Sequence, residues 1–286
     1  MQKKSGFTRT RIAPTPSGYL HLGNVYSFSI TAALARETGA RILLRIDDLD
    51  QARVRREYVE DIFDTLEFLE LPWDEGPRTY AEYVDRYSQV YRMPLYAEAL
   101  QQLRQQGHVF ACECSRSVLS ANSSTAGYGG TCRNKGLSLD APACSWRIDT
   151  LGTDLPPSMQ DFVVRRRDGA PAYQLASVVD DVHDGVDLIV RGEDLWESTQ
   201  GQIHLAKLLG YDSFVSAAFH HHSLLTDWEG KKLAKSSGAT SIQYLRKNGR
   251  TREQIYQLAG QLAGVQQPIS SWQQLGASML SYVTKN

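Results

Sequence analysis

The chain has 286 residues, with 31 Lys+Arg against 32 Asp+Glu and hence a formal net charge of −1 at pH 7. A hydrophobic fraction of 42% with 22% charged residues suits a buried core and excludes disordered or collagen-like chains, while the length suggests about two domains or one large one with an insertion. No run approaches the ~20 apolar residues that span a bilayer, and Met1 to Thr10 is polar and basic without an apolar signal core, so a soluble cytoplasmic chain with no membrane partner is expected.

Residues Phe7 to Ala13 alternate as a strand does. Pro14-Thr15-Pro16-Ser17-Gly18 then forces a turn, because two prolines and a glycine continue neither a helix nor a central strand. A helix is expected from about Val25, with Val25, Phe28, Ala32 and Ala35 at helical spacing, Asn24 as N-cap and Gly39 as stop. Arg41 to Ile46 reads as a buried strand running into Asp47-Asp48-Leu49-Asp50, which completes a βαβ unit. Helical patterns cover Val54 to Leu71 and Asp85 to Gln106, with Gly107 as terminator. Residues 112–160, rich in Cys, Ser, Gly and Pro, read as a loop-rich insertion whose order depends on a metal. Strand-like runs return at Phe162 to Arg166 and Val186 to Val190, followed by a helix around Trp196 to Leu209, so the parallel sheet is expected to resume. Beyond Ser241 the pattern is helical to the end. The expected fold is therefore α/β: a Rossmann-like doubly wound parallel sheet with a loop-rich insertion and a helical C-terminal region.

All four cysteines, Cys112, Cys114, Cys132 and Cys144, fall in that one stretch, which points to metal rather than to a disulfide scaffold. Cys112, Cys114 and Cys132 supply three thiolates where a closed zinc site takes four ligands, and spacing nominates Cys144 as the fourth. His220-His221-His222 has the look of a metal cluster, but consecutive residues of a strand point to alternate faces, so a structural or solvent role is expected. Net charge near zero argues against bulk nucleic-acid binding and leaves room for local basic faces, such as Arg165-Arg166-Arg167.

Three turns would meet at one edge of a doubly wound sheet, where ligands of such folds bind. They are Pro14 to Asn24, Arg191-Gly192-Glu193-Asp194, and the glycine-bounded basic loop Gly230 to Gly238 with Lys231, Lys232 and Lys235. Backbone N–H groups at a helix start, one histidine and a lysine loop suit a polyphosphate. The GxxxxGK[ST] and GxGxxG patterns are absent. Such a site acts by positioning phosphate oxygens and neutralising their charge.

These residues resemble the class I aminoacyl-tRNA synthetases, with His21-Leu22-Gly23-Asn24 in the place of HIGH and Lys232-Leu233-Ala234-Lys235-Ser236 in the place of KMSKS. The runs RIAPTPSGYLHLG, LRIDDLD, AYQLASVVDD and VRGEDLWEST are similar to the glutamyl branch, and within it to the glutamyl-queuosine tRNA(Asp) synthetases, truncated paralogues without an anticodon-binding domain. The resemblance implies a monomeric ligase that uses ATP with Mg²⁺, L-glutamate and queuosine-containing tRNA(Asp). An ordinary glutamyl-tRNA synthetase and a small-molecule adenylyltransferase of the same superfamily are its rivals. It implies His21 and Lys235 as catalytic residues, His21, Gly23, Asn24, Lys232 and Lys235 at ATP, and Arg11, Ile12, Ala13, Pro14, Thr15, Asp47, Tyr173 and Arg191 at glutamate. Asp47 stands where the family has Glu. The resemblance nominates Tyr128, not Cys144, as the fourth ligand of a structural Zn²⁺ beside Cys112, Cys114 and Cys132. Residues 1–110 and 185–245 would form the catalytic domain, 111–184 an inserted acceptor-binding zinc subdomain, and 246–286 the helical C-terminal region.

Overall fold

A computed structural model describes residues 6–115, 127–226 and 241–283. Strands and longer helices run in chain order as β1 (Arg9–Ile12), α1 (Leu22–Thr38), β2 (Arg41–Leu44), α2 (Arg56–Phe68), α3 (Met93–Gln105), β3 (Val109–Cys112), β4 (Ser145–Ile148), β5 (Val163–Arg165), α4 (Tyr173–His183), β6 (Leu188–Gly192), α5 (Trp196–Leu209), β7 (Ala218–His222), α6 (Arg252–Leu262) and α7 (Trp272–Val283). The described residues up to Tyr91, Val186–Glu193 and those from Ala218 onward form one compact unit, and Arg92–Gly185 with Asp194–Ala217 form another.

The first unit is parallel α/β. β1 pairs with β2 from Arg9↔Arg41 to Ile12↔Leu44, and β6 pairs with β7 from Leu188↔Ala218 to Gly192↔His222, both in parallel. The Asp187 N–H, donating to the Arg9 carbonyl at 3.1 Å, lays β6 beside β1. α1 makes the crossover between β1 and β2 and is apolar nearly all round, with Val25, Phe28, Ile30, Ala32 and Ala35 buried. One side of it meets the strands and another meets α7, where a Cβ on Gly276 would fall 2.5 Å from the Ala33 side chain; glycine is what lets these helices approach.

Helix α2 matches the expected 54–71 pattern with frayed ends, but the pattern from Asp85 is broken. Ser88 leaves helical geometry at ψ 144°, and the cause is Asp48, a fully buried carboxylate. Asp48 accepts from the Tyr83 hydroxyl at 2.6 Å, the Ser88 hydroxyl at 2.5 Å, the Gln89 N–H at 2.7 Å and the Gln51 amide at 2.8 Å. A buried carboxylate needs such donors, and their demand overrides local helix propensity. Regular helix resumes only at Met93.

Asp187 ties down the start of β1 by accepting from the N–H groups of Thr8 and Arg9 and from the Thr8 hydroxyl. Burial alone would raise this carboxyl, but the Arg9 and Thr8 donors outweigh it and hold it below the usual carboxylate range. A depressed folded value contributes stability that is present above the unfolded carboxyl range, about 3.9, and lost as pH falls through the folded value. Asp187→Asn should lower stability at pH 7 by about 1 kcal/mol, as read from urea titrations, and the difference from wild type should shrink at pH 3 and below.

The second unit carries an antiparallel sheet in the order β3-β4-β5 and the helices α3, α4 and α5. β5 therefore does not resume the parallel sheet as the sequence pattern suggested. A parallel return needs a crossover of about a dozen residues, usually helical. The fourteen residues between β4 and β5 hold no regular element except the 3-10 turn Pro157–Met159, so no helix carries the chain across the sheet and β5 folds back on β4. Arg92 and Tyr96 donate to the buried Asp180 carboxylate at 2.7 and 2.6 Å, which ties α3 to α4. Among the described residues no helix is long and apolar enough to cross a membrane.

Candidate active site and metal centre

Helix α1 begins at the residues that carry the first motif. Its N-cap is His21, and Asn24, expected as the cap, is the third helical residue. The two form a reciprocal capping box: His21 Nδ1 accepts from the Gly23 N–H at 3.1 Å, and the Asn24 side-chain oxygen accepts from the His21 N–H at 3.0 Å. An accepting Nδ1 places the proton of a neutral imidazole on Nε2, which makes Nε2 a donor. The ring lies so close over the helix start that a Cβ on Gly23 would fall 2.9 Å from its Cε1. A cleft of about 530 Å³ opens here, lined by Ala13, Pro14, Thr15, Tyr19, His21, Asn24, Arg53 and Ser241. Ser241, which follows the lysine loop in the chain, bridges to His21, and the Ile242 N–H donates to the Leu20 carbonyl at 2.8 Å. Lys231, Lys232 and Lys235 lie outside the described residues. A helix N-terminus with a histidine donor on its rim favours an anion.

Two buried arginines lie in the neighbouring strands β1 and β6 of the same unit. Arg11 is 8% exposed and donates to the Val190 carbonyl at 3.3 Å, while Arg191 is 5% exposed with its guanidinium 5.1 Å from the Phe219 ring centre. Buried guanidinium groups suit the carboxylates of a dicarboxylic amino acid. Asp47 donates its N–H to the Pro14 carbonyl at 2.9 Å, which seats it beside the 12–15 segment. Its carboxylate takes a 2.8 Å ion pair from Arg45, a buried residue that the sequence reading missed, although its place in the strand just before the acidic run was a usable signal. Ile12 is a core side chain whose carbonyl accepts the Arg45 N–H. Tyr173, the first residue of α4, lies in the other unit and is half exposed.

The histidine run alternates as expected. His222 is buried, with Nε2 2.9 Å from the Ser27 hydroxyl and Nδ1 2.9 Å from the Ser223 carbonyl, while His221 stacks on Phe219. Burial pushes His220 and His221 down toward the neutral form, and for His221 the Arg191 charge adds to it.

In the second unit the sulfurs of Cys112, Cys114 and Cys132 lie within 4.8 Å of one another. The Tyr128 hydroxyl joins them, 3.4 Å from Cys112 Sγ and accepting the Cys132 N–H at 2.8 Å. Cys144 does not: its thiol turns to the carbonyls of Ser138 and Leu139, at 3.9 and 3.4 Å. Burial would raise the Cys112 thiol, but Tyr128 and Arg147 bring it down to about 7. Three soft sulfurs and one oxygen at this spacing fit a four-coordinate Zn²⁺.

Residues 8–136 and 151–270 match the family described as tRNA synthetases class I (E and Q), catalytic domain. A glutamyl-Q tRNA(Asp) synthetase of Rhodobacter capsulatus is 35% identical over 287 residues, covering 88% of this chain and 99% of the relative. Another of that name, from Parasynechococcus marenigrum, is 39% identical over 250 residues, covering 86% of this chain and 80% of the relative. Among solved structures, the glutamate-tRNA synthetase of Elizabethkingia anophelis superposes with a TM-score of 0.72 at 21% identity, covering 94% of this chain, which spans 65% of that longer one.

Proposed function

The chain belongs to the class I tRNA synthetase (E and Q) catalytic-domain family, and from that membership we propose that it activates L-glutamate with ATP and Mg²⁺ and transfers it to the queuosine base of tRNA(Asp). In the first step a glutamate carboxylate oxygen bonds to the α-phosphorus of ATP and pyrophosphate leaves. In the second, a hydroxyl of the modified base attacks the acyl carbon and AMP leaves. The observation that carries the reading is the His21-Gly23-Asn24 capping box at the rim of a cleft large enough for a nucleotide. His21 Nε2 donates to phosphate oxygens, Arg11 and Arg191 meet carboxylates, and Asp47 meets the ammonium group. Lys232 and Lys235 are assigned to ATP by family membership.

Exchange of pyrophosphate into ATP should appear with glutamate alone among the amino acids and without tRNA. Exchange that requires tRNA, or another amino acid, overturns the activation step. Charging of tRNA(Asp) that contains queuosine, and not of the same tRNA without it, tests the second step; glutamate on unmodified tRNA(Glu) would indicate an ordinary glutamyl-tRNA synthetase.

For the metal centre we assign Cys112, Cys114, Tyr128 and Cys132 to one structural Zn²⁺, supported by the thiol cluster and by the direction of Cys144. Bound there, zinc cross-links the end of β3 to the Tyr128–Cys132 segment. Tyr128→Phe should lose most of its zinc by metal analysis while Cys144→Ser keeps one equivalent, and the reverse pattern would make Cys144 the ligand.

A further inference from the structure

A tyrosine is an uncommon zinc ligand, because its ring swings and its phenol holds its proton far above neutral pH. Two residues outside the ligand set hold this one. Phe110 of β3 and Arg147 of β4 are directly opposite each other in the antiparallel ladder, so their side chains leave the same face. Cys112, two residues beyond Phe110, shares that face. The Tyr128 ring lies on this pair: it stacks on Phe110 at 28° with centroids 6.2 Å apart, and the Arg147 guanidinium carbon is 3.8 Å from its centre. Arg147 is only 6% exposed, and one end of it is anchored by donation to the Asp161 carbonyl at 2.7 Å. Its Nε finds no hydrogen-bond partner, and the carboxylate of that same Asp161 pairs with Arg133 instead. A buried cation without a carboxylate is costly unless another negative charge meets it. A Tyr128 phenolate, held with three thiolates on one divalent ion, would provide that charge.

We propose that Phe110 and Arg147 are positioning residues of the metal centre: they clamp the Tyr128 ring with its oxygen among the cysteine sulfurs, and Arg147 balances the charge that a Tyr128 phenolate adds to the three thiolates. The proposal rests on the zinc reading above. It is tested on the full-length chain by zinc affinity, measured in competition with a chromophoric chelator, for wild type, Arg147→Met, Tyr128→Phe and the double variant. A residue acting on the metal through its ligand should cost about 10- to 100-fold in affinity. Arg147→Met should show that loss when Tyr128 is present and little further loss when it is already Phe. Arg147→Lys should recover part of the affinity, since it keeps the charge without the planar face. Co²⁺-loaded Phe110→Leu should keep its thiolate-to-metal charge-transfer band while its d–d bands shift, reporting a changed oxygen ligand. Equal losses from Arg147→Met in both backgrounds would mean general destabilisation and overturn the clamp alone. A wild-type chain that binds no zinc overturns the clamp and the zinc reading together.

Discussion

His21→Ala is expected to slow adenylate formation by about 30- to 900-fold, the 2 to 4 kcal/mol that removal of one preorganised donor to a developing charge typically costs. The size of the effect follows from the ring's fixed orientation. The Gly23 N–H occupies Nδ1, so the remaining proton sits on Nε2 before substrate arrives and no reorganisation is needed. The same loss should follow from a change that leaves the histidine in place. In Gly23→Ala the new methyl would lie 2.9 Å from Cε1 and 3.0 Å from Nδ1, too close for the imidazole to stay where it is. Alanine favours a helix over glycine by up to about 1 kcal/mol, so this variant should unfold no earlier than wild type while losing activity. His21→Asn separates the two roles from the other side, since asparagine is a good N-cap without an Nε2 donor: stability is kept and adenylate formation is lost. Single-turnover rates measured beside melting curves decide the matter, and unchanged rates in all three variants would remove His21 from the phosphate site.

What the sequence could and could not reveal follows the range of the forces involved. Helix α5 lies where the sequence pattern put it because its apolar spacing is local, and Gly210 in the left-handed region ends it. The start of α1 was placed three residues late, because histidine is not among the usual caps and Asn24 is; its amide bonds backwards, as the third residue of a capping box does. The break at Ser88 was invisible, since Asp48 lies 40 residues away in the chain. Cysteine spacing could not separate Cys144 from the cluster either, because the direction of its thiol is set by the fold of residues 138–144. Strands β1, β2 and β6 and the turn after β1 were legible because two prolines, a glycine and buried apolar runs each permit few alternatives.

Asp47→Ala should weaken glutamate binding by about 10- to 150-fold, the 1.5 to 3 kcal/mol that accompanies loss of a hydrogen bond to a charged group. The family's glutamate would reach one C–C bond further, ~1.5 Å, so a direct contact to the substrate ammonium from aspartate would stretch towards ~4 Å, and a bridging water is the natural remedy. The Arg45 pair makes such a remedy workable. With its Nε 2.8 Å from Asp47 Oδ1 and its own side chain only 3% exposed, Arg45 holds the carboxylate fixed in direction, and the Asp47 N–H on the Pro14 carbonyl fixes the backbone beneath it. A water held by a fixed carboxylate loses less on being ordered than one held by a mobile side chain. Asp47→Ala also removes the ion pair with Arg45, so part of its effect could be a loosened pocket. Asp47→Asn removes the charge and keeps an oxygen for Arg45, and it should raise the glutamate KM nearly as far with little change in melting temperature. Asp47→Glu restores the family's reach and should bind glutamate at least as tightly as wild type. The measurement is the glutamate KM in pyrophosphate exchange at saturating ATP; a KM unchanged in both the Ala and the Asn variants would give Asp47 a structural role beside Arg45, with the substrate ammonium held by some other group.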